Sequence, residues 1–221
     1  MSIRIPVMLS CMLIAVSLGL AAAAIAAADG PIPLHYGIDG TVNRYGTAYE
    51  LLAFPGLALF LTGLFAILPR LDPRRNAAEA APSLYLSAWF GSLLVLLCVQ
   101  VLVSLPAFGG MQPDAPLAIA IVSGGISVLN ILLGNFMGKS RSNWMVGIRT
   151  PWTLSSEHSW TRTHLWTGRM FVGMGFAGLA ASILLPAQAA IFVVAGGTLI
   201  ASFASFVLSY IFWKADPERT A

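Results

Sequence analysis

Six stretches of this chain are apolar for long enough to cross a bilayer, and polar segments of very unequal richness separate them. The runs cover residues 5–28, 51–68, 84–105, 116–137, 170–185 and 187–213. A spanning helix needs about 20 predominantly apolar residues. The fifth run is short, so its helix is expected to start inside the polar segment before it. Run length and the abundance of Leu and Ala predict helices, and no strand-length alternation of the kind that builds a membrane barrel is present. The expected fold class is all-α, a polytopic inner-membrane bundle of six transmembrane helices.

Composition supports this reading. The chain is 57% hydrophobic and 10% charged over 221 residues, where soluble domains carry roughly 25% charge. A soluble core cannot absorb so much apolar surface, so the lipid bilayer is the first partner implied. The net charge of +3 is small and spread by topology rather than gathered into a patch, which argues against direct nucleic-acid binding. Cys11 and Cys98 both fall inside apolar runs. They are expected to be two buried small side chains, with no disulfide and no zinc site.

The basic residues set the expected orientation. Arg4, then Arg70, Arg74 and Arg75, then Lys139, Arg141, Arg149, Arg162 and Arg169, then Lys214 and Arg219 fall on one side, and Arg44 alone on the other. The positive-inside rule then puts both termini and the 69–83 and 138–169 segments in the cytoplasm, and 29–50 and 106–115 outside. The start of the chain carries a second reading. Arg4, an apolar core and three alanines before Asp29 also fit a cleavable signal peptide, although the run is longer than such cores usually are and favours a retained anchor.

Two parts are expected along the chain. Residues 1–83 hold two spans and a Pro/Gly-rich external loop, and residues 84–221 hold four spans and a basic, Trp-rich cytoplasmic loop. Two prolines and mixed charge make 70–82 a linker. Gly134 with Gly138, then Gly173, Gly175 and Gly178, then Gly196 with Gly197 suggest close helix packing. Gln100 and Asn130 lie deep in spans and are each expected to make one interhelical hydrogen bond.

The loops hold the candidate chemistry. In 29–50, Pro31 and Pro33 impose an extended entry, and Gly37, Gly40 and Gly46 permit turns. His35 and Asp39 could approach across such a turn, but a metal would need further ligands. A compact turn-stapled loop is the plain expectation. A surface for an external ligand, built from Pro33, His35, Gly37, Asp39 and Gly40, is the functional one. Segment 134–169 holds five of the twelve Lys and Arg, four of the six Trp and two of the three His, which makes it the place to look for function. Ser155 or Ser156 can cap a short helix there, with Glu157 at its N-terminus. Trp144, Trp152, Trp160 and Trp166 suit a headgroup layer, and Arg141, Arg149, Arg162 and Arg169 can meet lipid phosphates. The segment therefore reads either as an interfacial anchor or as a docking surface. His158 and His164 do not share a helical face, and no nucleophile comes with a base and an orienting acid. No enzyme activity, metal or cofactor is expected.

Gly134, Asn135, Gly138 and Asn143, the run from Gly147 through Ile148, Arg149, Thr150, Pro151, Trp152 and Thr153 to Leu154, and then Trp160, Thr163, His164 and Gly168 resemble the signature of the SdpI family. The external loop, with Pro31, Pro33, His35, Gly37, Asp39, Gly40 and Gly46, resembles the short domain of unknown function that often precedes it. The resemblance implies a multi-pass bacterial inner-membrane protein. It implies immunity against a secreted antimicrobial peptide toxin, and signalling by holding a cytoplasmic transcriptional repressor at the membrane. Asn135, Gly138, Asn143, Gly147, Arg149, Thr150, Pro151, Trp152, Trp160, Thr163 and His164 become the candidate functional loop. Fold likeness does not fix function, so a membrane signalling or structural protein of unrelated role, or a small transporter, stand as alternatives.

Overall fold

The computed structural model describes residues 3–37, 41–72, 77–109 and 115–218. Helix α1 spans Arg4–Ala27, and an antiparallel hairpin follows, β1 Ile32–Tyr36 and β2 Val42–Gly46. A 3-10 turn, Ala48–Leu52, runs into α2, Ala53–Leu71. The short α3, Ala77–Ala80, precedes α4, Pro82–Ser104, which a second 3-10 turn prolongs to Phe108. Then come α5 Ala115–Met137, α6 Pro151–Ser155, α7 Glu157–Leu184 and α8 Ala187–Lys214. Among the described residues six helices are long and apolar enough to cross a membrane. The fifth, α7, starts well inside the polar segment, at Glu157, as its short apolar run requires.

The bundle is turned inside out relative to a soluble protein. Large apolar side chains such as Phe60, Ile183, Leu199 and Phe203 point outward, while Ser10, Ser17, Ser123, Ser127, Ser205 and Ser209 are buried. Between helices in lipid, association comes from close van der Waals fit and a few hydrogen bonds, so small and polar residues belong inside. Two deep polar residues make such bonds. Gln100 Nε2 donates to the Ser17 carbonyl at 2.8 Å, and Ser17 Oγ donates back to Gln100 Oε1 at 2.5 Å, tying α1 to α4. Asn130 Nδ2 donates to Thr198 Oγ1 at 2.8 Å, tying α5 to α8.

Helix α7 is the centre of the C-terminal half, packed against α5 and α8. The glycines explain how closely α5 and α7 approach. A Cβ on Gly168 would lie 2.6 Å from the Gly134 carbonyl oxygen, and one on Gly134 would lie 2.6 Å from the Gly168 carbonyl oxygen. Gly175 lies against the Ser127 carbonyl in the same way. Not every glycine in the spans serves this purpose: around Gly173 and Gly196 there is open space. Sequence spacing alone could not tell the packed glycines from the outward ones. Cys11 is likewise exposed on the outer surface of α1 rather than buried, and Cys98 is half-buried; both are free thiols.

Segment 29–50 is more regular than a turn-stapled loop. It forms a two-stranded ladder pairing Ile32 with Gly46, Pro33 with Tyr45, His35 with Arg44 and Tyr36 with Val42, with irregular register either side of His35. The ladder sits on the ends of α1 and α4, where Ile32, Ala48 and Leu51 bury against Ala21, Ala24 and Ala107. Arg44 Nη1 pairs with Glu50 Oε2 at 2.7 Å, and Glu50 Oε1 accepts from the Thr47 N–H at 3.3 Å. Gly46 leaves room for the Glu50 carboxylate and the Leu34 side chain, which would have to shift to admit a Cβ there.

The glycine contrast gives a direct test. Gly168→Val is expected to force α5 and α7 apart and cost roughly 1–3 kcal/mol, seen as a lower Tm in detergent and poorer accumulation in membranes. Gly173→Ala is expected to leave both unchanged. Equal behaviour of the two variants would remove the close contact from the account of stability.

Candidate functional site

At the end of the bundle opposite the hairpin, the segment between α5 and α7 folds into a compact polar knot. Its first part is an Asx turn. Asn143 is fully buried, and its Oδ1 accepts the N–H groups of Met145 and Val146 at 3.0 and 2.7 Å. Its Nδ2 donates to the Arg141 carbonyl at 2.9 Å. Asparagine suits this role because a short amide can mimic a backbone turn. The Arg141 N–H donates to the Ala80 carbonyl at 2.9 Å, so α3 is sewn to the loop. Val146 then packs both against Trp89 and its neighbours on α2 and α4 and against Leu84 and Met137.

His164 organises the second part. The Ile148 N–H donates to His164 Nε2 at 2.9 Å, and the His164 Nδ1 hydrogen points to the Trp160 carbonyl at 2.8 Å. One ring nitrogen therefore accepts and the other donates, which fixes a neutral tautomer. The imidazole is fully buried and stacks on the Trp160 indole with ring centroids 4.0 Å apart. Trp160 Nε1 in turn donates to the Ser140 carbonyl at 3.0 Å. Gly147 makes the approach possible: it holds φ 113°, and a Cβ there would collide with His164 Nε2. A side chain at this φ is strained even without the collision.

The third part caps the helices. Thr150 Oγ1 accepts the Thr153 N–H at 3.2 Å, and Thr153 Oγ1 accepts the Thr150 N–H at 3.0 Å and donates to the Ile148 carbonyl at 2.8 Å. Pro151 occupies the first turn of α6, where its missing N–H costs nothing. Of the two serines offered as caps, Ser156 serves: its Oγ accepts the Ser159 N–H at 2.9 Å. The helix it starts is α7 itself rather than a separate short one.

A line of hydroxyls joins this knot to α8. Thr150 Oγ1 donates to Ser209 Oγ at 3.0 Å, Ser159 Oγ to the Ser209 carbonyl at 2.7 Å, and Thr167 Oγ1 to Ser205 Oγ at 2.8 Å. Ser156 Oγ reaches Asp216 Oδ2 at 2.5 Å. Thr163 lies in this line, fully buried, and its Oγ1 has no hydrogen-bond partner among the described residues. Ser140, Ser159, Thr167, Ser205 and Ser209 were not singled out by sequence. The available signal was Ser205 and Ser209, one helical turn apart, facing a Ser/Thr-rich start of α7.

The candidate residues thus divide. Asn143, Gly147, Thr150, Trp160, Thr163 and His164 converge in the buried knot. Trp160 is not in a headgroup layer, because its indole is the floor of the knot. Trp152 is half-buried edge-on against Phe206 and Tyr210 of α8. Gly138 touches Leu165 of α7, and Asn135 and Pro151 are exposed. Arg149 is exposed; one of its nitrogens straps the Trp144 carbonyl at 2.9 Å and leaves the rest of the fork outward beside the exposed Trp144.

On the hairpin face, His35 pairs with Asn43, Nδ1 to Oδ1 at 2.6 Å, across the ladder. Its anticipated approach to Asp39 lies outside the described residues, as do Asp39 and Gly40 themselves. Burial, and next the neighbouring Tyr45, push the Tyr36 phenol up, so it stays a neutral hydrogen-bonding group. Leu34, Tyr36 and Gly37 roof an apolar groove of about 490 Å3 against Val99, Leu102 and Val122. Pro33 sits in β1, extended as its neighbours require. Among the described residues no three His, Cys, Asp or Glu side chains gather as a metal site would need.

Six spans, an extramembrane hairpin at one end and a buried histidine knot at the other define a multi-pass bacterial membrane protein. Residues 139–210, which contain the knot and its α8 partners, match the SdpI/YfhL protein family, and residues 12–59, which contain the hairpin, match a domain of unknown function (DUF1648). The two matched segments follow one another along the chain, the 12–59 match first and the 139–210 match second, so the chain is similar to this family over its C-terminal third. It is 28% identical over 123 residues to a protein named immunity protein SdpI from Bacillus subtilis (strain 168), a match covering 56% of this chain and 58% of that relative. No solved structure matches.

The knot is testable as a unit. Gly147→Ala and His164→Ala are each expected to cost roughly 2 kcal/mol, the first through strain and the second by stranding the Ile148 N–H. Because both act on one contact, the double variant should lose less than the sum. Thermal unfolding of the purified protein reads this, and strictly additive losses would separate the two residues.

Proposed function

We propose that this protein confers immunity: it protects the cell that carries it from a secreted antimicrobial peptide by contacting that peptide at the membrane. The observation that carries the reading is the family match over the knot and its α8 partners, residues 139–210, together with the 28% identity to a relative named as an immunity protein. The basic knot faces the cytoplasm in this reading, with both termini on the same side, because all but one of the Lys and Arg fall at that end. There it has a second task, to hold a cytoplasmic transcriptional repressor. Arg149 and Trp144 suit that task, since they are exposed on a scaffold that His164 and Asn143 make rigid. A planar guanidinium fork on a rigid loop can select a carboxylate geometry that a lysine cannot. Trp152, packed on α8, supports the scaffold rather than the contact.

Two measurements test this. Expression in a peptide-sensitive host should raise tolerance to the peptide; no gain in tolerance, with the protein present in the membrane, removes the immunity role. Arg149→Lys should keep the protein in the membrane at normal level and weaken capture of the soluble regulator by about tenfold, the loss of roughly one charge-assisted hydrogen bond. Unchanged capture would make the loop an interfacial anchor only. For orientation, Ser155→Cys in a background lacking Cys11 and Cys98 should resist an impermeant thiol reagent in intact cells while Tyr49→Cys reacts. The reverse pattern would invert the topology.

A further inference from the structure

We propose that one face of α7, formed by Arg162, Trp166 and Arg169 above the open notch at Gly173, binds the headgroup phosphate of an anionic phospholipid. These residues stand at i, i+4, i+7 and i+11, so they form a single stripe along the helix. All four are exposed, and the stripe turns away from the knot, whose residues Thr163, His164 and Thr167 occupy the opposite side. The stripe is independent of the immunity reading, because it shares no side chain with the knot or with Arg149.

Depth argues for the anion. Gly168 packs against Gly134, in the last turn of α5, so Arg169 lies level with the end of a spanning helix rather than beyond it. From Arg169 to the end of α7 at Leu184, fifteen residues rise only about 22 Å, less than the roughly 30 Å of a hydrocarbon core. The apolar layer must therefore reach towards Arg162, which leaves Arg169 about one turn inside it. A cation facing lipid at that depth is costly unless it snorkels and meets an anion. Side chains of α7 tilt towards its N-terminus, which directs the guanidinium of Arg169 up to the headgroup level.

Chemistry argues for a phosphate diester with its chains. The Arg169 guanidinium carbon lies over the Trp166 ring, 5.2 Å from its centre, a cation–π contact that does not consume its N–H donors. Arg162 has no partner among the described residues. Two planar forks on one face of the helix, about one turn to either side of an indole, suit the oxygens of one phosphate. Below them, nothing lies within 4 Å of where a Cβ on Gly173 would stand, and Phe176 is exposed one turn further. That notch offers an acyl chain a place directly under its own headgroup. Arg141 and Arg149 have no such apolar continuation, since they sit in the loop rather than on a span.

The test is native mass spectrometry of the full chain released from nanodiscs holding phosphatidylglycerol and phosphatidylcholine in equal amounts. The wild type should retain phosphatidylglycerol in preference. Arg162→Gln with Arg169→Gln should lower that preference roughly tenfold, from two lost contacts with a lipid phosphate, while Arg141→Gln with Arg149→Gln should keep it. Gly173→Leu, which fills the notch and leaves every charge in place, should also reduce retention, so the outcome does not depend on one variant's folding. Excess inorganic phosphate should not displace the lipid. Equal retention by the stripe variant, equal loss in the loop variant or displacement by free phosphate would each overturn the assignment.

Discussion

The polar end of this bundle hangs on one acceptor, Nε2 of His164. It takes the Ile148 N–H at a depth where water cannot serve as substitute, and so decides where the chain may pass between α5 and α7. Everything near it follows from that bond. Gly147 must lack a side chain because the ring is there, Trp160 must lie flat because the ring stacks on it, and the Thr150–Thr153 box must start where Ile148 ends. A buried backbone amide without a partner costs about 1–3 kcal/mol, a sizeable part of the roughly 5–15 kcal/mol that holds a domain folded. The histidine is therefore a structural group first, and its neutrality is imposed by its neighbours rather than chosen for proton chemistry.

Much of the architecture was legible from the chain. Six spans, the early start of α7, and the paired roles of Gln100 and Asn130 follow from apolar run length and from the expense of burying an unpaired amide in lipid. The strands at 32–36 and 42–46 were not legible, because a Pro/Gly-rich loop carries turn signals that mask a short ladder. The glycines were legible only as a set. Gly168 and Gly173 look alike in sequence, and only the position of α5 makes one a contact and the other an opening.

The candidate loop was found, but its internal division was not. Tryptophan reads as interfacial wherever basic residues accompany it, yet Trp160 is buried and Trp152 is folded onto α8, while Trp144 and Trp166 stay exposed. What separates them is helical phase relative to α5 and α8, which no local pattern carries. The serines of α8 were missed for the same reason: Ser205 and Ser209 are ordinary in a transmembrane helix, where a hydroxyl can bond the preceding turn. They acquire meaning only opposite Thr150, Ser159 and Thr167.

The contact between Arg141 and Ala80 has a consequence for how the protein is made. During synthesis α3 and α4 emerge long before the loop that accepts their edge, so the Ala80 carbonyl and the apolar pocket for Val146 stand open until α5 has been threaded. The knot in turn cannot close before α7 supplies His164, and the hydroxyl line waits for α8. Assembly therefore ends at the last helix rather than proceeding span by span. A ribosome stalled before α8, or a truncation there, would leave a membrane-inserted chain whose polar ends are still unpaired, the kind of species that membrane quality control removes.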